Sequence, residues 1–248
     1  ENPFRESFSH IRVQNLSVAY GEIAFQGPRA VEYLSPLVTE NISSLTYYHF
    51  RESCTLFGRK VLISRTGYTG EDGFEVYCNA EDAAYLWKAI LAETGHLGVI
   101  PVGLGARDTL RFEACLPLYG HELSEEISPI EAGLASFVKF SKNDFCGKDA
   151  LRTAQEKRER VLLGCELLDR GVARPGHPVL CDGRPVGHVT SGMKCPSLGS
   201  FNALVLVETG GREAVEAYPQ GREIGIDVNG SIKRAKIVKT PFYRRRKS

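Results

Sequence analysis

The chain lacks an excess of charge of either sign. Its 31 basic and 30 acidic residues leave a formal net charge of +1, whereas a dedicated nucleic-acid binder needs a basic surplus for phosphate contacts. Long apolar runs are also missing: no stretch approaches the ~20 residues of a membrane-spanning helix, and no signal-peptide pattern opens the chain. With 42% hydrophobic residues the chain can still bury real cores, so disordered and integral-membrane classes are both excluded. Nucleic-acid and membrane partners are therefore not expected. Cysteine pairs are absent as well. The seven cysteines, at 54, 78, 115, 146, 165, 181 and 195, are odd in number and form no C-x-x-C. Zinc ribbons and disulfide frameworks need tighter spacing, which leaves buried free thiols in a reducing compartment. Methionine occurs once, at Met193, and the first residue is Glu1; a processed product or a fragment is the expectation.

Several chemistry-bearing motifs are missing too. Gly103-x-Gly105 lacks the third glycine of a dinucleotide fingerprint, because Asp108 stands in its place. There is no G-x-x-x-x-G-K-[ST] loop and no G-x-S-x-G elbow. The six histidines are scattered without metal-ligand spacing, so no metal is expected. Nothing in the chain points to a Ser/His/Asp triad. Arg244-Arg245-Arg246-Lys247 reads as a solvated tail. No internal repeat or low-complexity tract is present.

What is there divides into two regions. The first mixes strands and helices: a half-buried strand at Gly21–Phe25, a helix from Arg29 to Leu37 led by Pro28, and strands at Lys60–Ser64 and Phe74–Cys78. Asn79 offers an N-cap to a helix whose Ala83, Leu86, Trp87, Ile90 and Leu91 recur at helical spacing before Gly95. A further helix runs from about Leu104 to Cys115. The links are too tight for a strictly parallel sheet, so the class is α+β. Ala150–Arg158 reads as a connecting helix, and beyond it the signals are β. Asp182-Gly183 and Asn229-Gly230 each sit between apolar strands as hairpin turns, which predicts a sandwich or barrel. The boundary falls at about residue 155, giving regions 1–155 and 156–248.

Two segments could carry chemistry. In Ser64–Tyr77, strand alternation puts Phe74 and Val76 on one face and Glu75 and Tyr77 on the other. Glu75 then projects beside a loop containing Gly67, Gly70, Gly73 and the aromatic Tyr68. Glycine lets a backbone approach a ligand closely, and a tyrosine offers a flat surface. An exposed glutamate next to a turn that merely needs glycine is the plainer alternative. In Gly103–Ala114, helical spacing groups Leu104, Arg107, Leu110, Arg111 and Ala114, making Arg107 a cation among apolar neighbours and leaving Arg111 to reach solvent. A buried cation needs a protein carboxylate or an anionic ligand. A carboxylate, tyrosines and an arginine together suit a flat heteroaromatic with a donor edge and an acidic tail.

At these segments the sequence resembles the glycine cleavage system aminomethyltransferases, the T-protein family. The resemblance is carried by Ile23–Ala30, Arg65–Glu75 and Gly103–Glu113, with Leu118–Leu123, Ser128–Leu134, Phe145–Leu151, Val189–Gly192, Pro196–Leu198 and Pro241–Tyr243 continuing it. It implies transfer of the methylene of an aminomethyl group from the lipoyl arm of H-protein to tetrahydrofolate, with release of ammonia. It also implies Glu75 at the pterin edge, Arg107 at the folate site, Tyr68 beside the ring, and Tyr119 and Tyr243 lining the pocket. The implied fold is two α+β lobes and a final β-barrel, in bacterial cytoplasm or mitochondrial matrix. Full-length relatives carry a preceding segment that holds an aspartate orienting the folate amine. No residue here matches it, so no catalytic residue is assigned. Two other outcomes follow from the same resemblance: a folate-dependent demethylase-type relative, whose usual flavin domain has no counterpart here, and a non-catalytic folate-binding module. Phe145-Cys146-Gly147-Lys148 departs from the K-G-C-[YF] segment of that last branch.

Overall fold

The computed structural model describes residues 11–211 and 216–245. The chain divides into two compact units, one formed by 1–67 with 71–101 and the other by 68–70 with 102–248.

In the first unit, β1 (Tyr20–Gln26), β2 (Phe50–Leu56), β3 (Arg59–Ser64) and β4 (Gly73–Asn79) form an antiparallel sheet in the order β1-β4-β3-β2. The period-two pattern sorts their side chains. Ile23, Phe25, Val61, Ile63, Phe74, Val76 and Cys78 are buried in one core, each large side chain contributing about 1.5–3 kcal/mol. Two helices, α1 (Ala30–Leu34) and α2 (Ala83–Thr94), bring Leu34, Leu86 and Ile90 into the same core. The helix expected to Leu37 loses α geometry at Ser35 and continues as a 3-10 turn to Leu37. Pro36 has no N–H to extend the α-helical ladder. Asn79 precedes a 3-10 turn, Ala80–Asp82, and makes no side-chain capping bond. Trp87 lies on the exposed side of α2. Strand β2 has no counterpart in the sequence reading, because only Cys54 and Leu56 of it are buried and a bulge interrupts its register between Arg51 and Cys54.

The second unit contains α3 (Leu104–Glu113), α4 (Lys148–Lys157) and six strands: β5 (Arg160–Leu167), β6 (Pro178–Cys181), β7 (Arg184–Cys195), β8 (Ser200–Glu208), β9 (Glu223–Val228) and β10 (Ser231–Val238). They close into an antiparallel barrel in the order β10-β5-β8-β7-β6-β9, which leaves no free edge. Both anticipated hairpin turns have positive φ at each central residue, Asp182 and Gly183 in one and Asn229 and Gly230 in the other, the geometry that matches strand twist. Strand β8 is buried on both faces. Ala203, Val205 and Val207 fill the barrel. Leu204 packs outside with Phe112 of α3, and Leu206 with Ile127 and Ala132.

All seven cysteines are free; five are buried, Cys115 is half-buried and Cys146 exposed. Among the described residues no helix is long and apolar enough to cross a membrane. Arg246 and Lys247 of the basic tail lie outside the described residues.

Candidate functional site

Strand β4 delivers Glu75 as alternation predicts. Phe74 and Val76 are buried, while Glu75 and Tyr77 are half-buried on the opposite face. Among the described residues no cation holds Glu75. Its Oε2 accepts a hydrogen bond from the Thr66 hydroxyl and another, at 3.2 Å, from the Tyr77 hydroxyl. Burial, together with the negative charges of Glu75 and Glu22, pushes the Tyr77 phenol up to about 12, so it stays a donor at neutral pH.

Two glycines, Gly67 in the loop before β4 and Gly73 at the start of β4, lie against a single side chain. The Gln26 amide donates to the carbonyl of Thr66 at 3.0 Å and to that of Phe74 at 3.2 Å. A Cβ at Gly67 would meet Gln26 Oε1 at 2.0 Å, and one at Gly73 would lie 2.4 Å from Gln26 Cδ. Arg65 grips Asp72 across the loop, Nε to Oδ1 at 3.0 Å and Nη2 to Oδ2 at 2.6 Å, a bidentate pair of the strong kind. Gly67 and Gly73 thus admit an internal strut that fixes the loop from inside.

Helix α3 corrects the expectation for its two arginines. Arg107 is exposed and Arg111 is the buried one, with 1% of its surface accessible. Leu104, expected on the buried face, is 83% exposed. The acceptors around Arg111 explain the reversal. Its Nε donates to Asp108 at 2.7 Å, Nη1 to Glu122 Oε2 at 2.9 Å and Nη2 to Ser191 Oγ of β7 at 3.2 Å. A buried guanidinium requires this saturation, and Arg107 has no such set.

Arg107 instead lies over Tyr68, its guanidinium carbon 4.7 Å from the ring centroid, within cation–π range. The Tyr68 hydroxyl donates to the carbonyl of Pro117. Burial raises its phenol above the ordinary tyrosine range, against the lowering charge of Arg111. The Pro117 segment is pinned in turn, because Glu122 Oε2 also accepts from the N–H of Leu118 at 3.0 Å. Tyr119 follows in the same loop and is 70% exposed. Tyr243 is half-buried, and its N–H donates to the carbonyl of Glu113 at 2.7 Å, next to the Phe112–Phe242 ring contact.

Of the five residues picked from sequence, Tyr68, Arg107, Tyr119 and Tyr243 belong to the second unit and Glu75 to the first. Tyr68 and Arg107 are brought into contact. Thr66, Tyr77, Gln26, Arg111 and Glu122 went unnoticed as supporting side chains. A signal existed for Tyr77, since strand alternation puts it on the same face of β4 as Glu75; Thr66 lies past the end of β3, where the strand pattern gives no guide. Among the described residues no group of His, Cys, Asp and Glu is placed to hold a metal ion.

Comparison with known proteins supplies the context for this geometry. Residues 2–142 match the GCVT N-terminal domain, and residues 160–244 the glycine cleavage T-protein C-terminal barrel domain. An aminomethyltransferase of Moorella thermoacetica is 49% identical over 238 residues, covering 96% of this chain and 63% of that protein. One from a Geobacillus species is 44% identical over 242 residues, covering 97% and 65%. The chain thus spans a little under two thirds of the length of these relatives. The crystal structure of the glycine cleavage system aminomethyltransferase T from Bartonella henselae superposes with a TM-score of 0.68 at 24% identity, covering 92% of this chain and 85% of that one. At that identity it speaks for the fold. The chain belongs to the glycine cleavage T-protein family.

Proposed function

We propose that this chain works in an aminomethyltransferase of the glycine cleavage system, where it binds tetrahydrofolate and places it to receive the methylene of an aminomethyl-lipoyl H-protein, with release of ammonia. The relatives that match along nearly all of this chain carry the name aminomethyltransferase, which favours this reading over a demethylase or a non-catalytic folate-binding module. Regions 1–155 and 156–248 serve as folate-binding part and barrel. The expected setting is bacterial cytoplasm or mitochondrial matrix.

The observation that carries the reading is the state of Glu75. A carboxylate on a rigid, half-buried strand position has one oxygen engaged by hydroxyls, and its Oε1 takes no hydrogen bond from any described residue. Such an oxygen suits the N–H donor edge of a pterin. Arg107 is exposed and in no ion pair among the described residues, so it can meet the acidic tail of a folate. Tyr68, Tyr119 and Tyr243 supply aromatic surface. Binding of this kind serves catalysis by register: holding the folate amine beside the thio-aminomethyl carbon converts a bimolecular step into an effectively unimolecular one. Glu75 and Arg107 act as positioning groups, and no acid or base is assigned.

Calorimetric titration of tetrahydrofolate into the chain tests the reading. Saturable binding is expected, weakened about tenfold or more by Glu75→Gln and by Arg107→Ala. Unaltered affinity in Glu75→Gln overturns its assignment to the pterin edge. A folded wild-type chain that binds no tetrahydrofolate overturns the claim that these residues form the site.

A further inference from the structure

The hydroxyls around Glu75 form a connected cluster that ends on its carboxylate. A hydroxyl carries a single proton, and Thr66 gives its own to Glu75 Oε2. Ser64 hydrogen-bonds Thr66 and also meets the Tyr77 hydroxyl, so it supports both hydroxyls that reach Glu75. Tyr77 brings a second proton to the same Oε2 at 3.2 Å, and burial beside two negative charges keeps that proton in place. Gln26 then fixes the donors: it bonds the carbonyl of Thr66 and the carbonyl of Phe74, the residue before Glu75. Oε2 is saturated and Oε1 takes nothing from the described residues.

We propose that Thr66, with Tyr77 in support, is a positioning residue that sets the Glu75 carboxylate in one rotamer, so that Oε1 stands ready as the acceptor for the N–H edge of the pterin. The proposal rests on the folate reading above and goes further by naming what orients the acceptor. A glutamate has three rotatable bonds. Left free on a half-exposed strand face, it would lose that freedom on binding and weaken affinity accordingly. The Ser64–Thr66–Glu75 chain removes the freedom in advance: the β3–β4 register places Ser64 opposite Glu75, and Thr66 follows two residues later, just past the end of β3.

The test uses the full chain with Thr66→Val, which removes the hydroxyl at nearly constant volume, and Thr66→Ser, which keeps it. Two quantities are measured: the tetrahydrofolate dissociation constant by calorimetry, and the order of the Glu75 side chain without ligand, by carbon-13 relaxation. Thr66→Val is expected to raise the dissociation constant about tenfold and to loosen Glu75. Thr66→Ser should restore both, with thermal midpoints unchanged, and Tyr77→Phe should show a smaller effect because its bond is longer. Binding by Thr66→Val as tight as wild type overturns the proposal, as does Thr66→Ser behaving like Thr66→Val. The ligand-free measurement separates this claim from the folate reading. If no chain binds tetrahydrofolate but Glu75 loosens in Thr66→Val, the clamp stands and the ligand is wrong. If Glu75 stays ordered in Thr66→Val, the clamp falls whatever the folate result.

Discussion

Strand β4 and helix α3 each present a charged side chain that is not fully buried, and each secures it differently. On β4 the carboxylate of Glu75 is held by neutral hydroxyls, with no cation against it among the described residues. On α3 the guanidinium of Arg107 rests on an aromatic ring, while the cation one turn later is consumed internally by Asp108, Glu122 and Ser191. The difference teaches how a fold separates a structural charge from an available one. Arg111 is saturated and buried, whereas Arg107 keeps one side open. Arg107 and Arg111 are four residues apart on one helix and fall on opposite sides of that line.

The largest expected effect breaks this comparison if it fails. Arg111→Met leaves the buried carboxylate of Glu122 without its cation, and Glu122 Oε1 already has no partner. Breaking one side of a buried pair costs about 3–5 kcal/mol, whereas Arg107→Met at an exposed site should shift stability by about 0.5 kcal/mol or less. Urea denaturation of the two variants measures both. Equal losses would mean that the two arginines are not divided between fold and ligand.

A second prediction sharpens the contrast through glycines of similar conformation. Gly70 has φ +77° and Gly58 has φ +74°, so alanine is strained at both, by about 1 kcal/mol or more. At Gly70 a Cβ would also meet the Cβ of Ala114, at the end of α3, at 2.6 Å, while at Gly58 it would meet nothing within 4 Å. Gly70→Ala is therefore expected to lose about 1–3 kcal/mol more than Gly58→Ala in thermal or urea unfolding. Similar losses would show that the loop yields at Ala114 without cost and does not seat firmly there.

The same contrast explains what could be read from sequence. Alternation placed Glu75 correctly because a sheet with one covered face allows only two orientations, and Phe74 and Val76 decide between them. Helix α3 offered more choices. Its apolar residues suggested a buried face containing Leu104 and Arg107, yet the burial falls on Arg111, Phe112 and Glu113. That face is set by acceptors outside the helix, Glu122 in the following loop and Ser191 far along the chain, which periodicity cannot see. The barrel was legible through its Asp-Gly and Asn-Gly turns, since those dipeptides tolerate the positive φ that the hairpins require. Strand β8 was not singled out: buried on both faces, it shows a continuous apolar run with no period. The glycines of the Gly67–Gly73 loop suggested close approach by a ligand. The structure adds a packing role invisible without the fold, since a side chain at Gly67 or Gly73 would collide with Gln26.

The smallest expected effect concerns a pair between the two extremes. Glu131 and Arg160 meet at 2.6 Å, neither fully buried nor fully exposed. Burial pushes the Glu131 carboxyl up, but hydrogen bonds from Arg160 and from the backbone and hydroxyl of Ser128 outweigh it, and the carboxyl ends below its ordinary 4.5. A depressed carboxyl stabilises the folded chain above the unfolded value, and that contribution is lost as pH falls through the lower folded value. Wild type and Glu131→Gln should therefore run parallel in urea midpoint between pH 5 and 7, with wild type the more stable by about 1 kcal/mol after solvent screening. The gap should close below about pH 4.5 as the carboxylate is protonated. A gap unchanged at low pH would mean that the glutamate contributes through its packing and neutral hydrogen bonds alone. Glu131 would then belong with the buried structural charges only by position, since a carboxylate whose charge does no work can be exchanged for an amide, as Glu122 cannot.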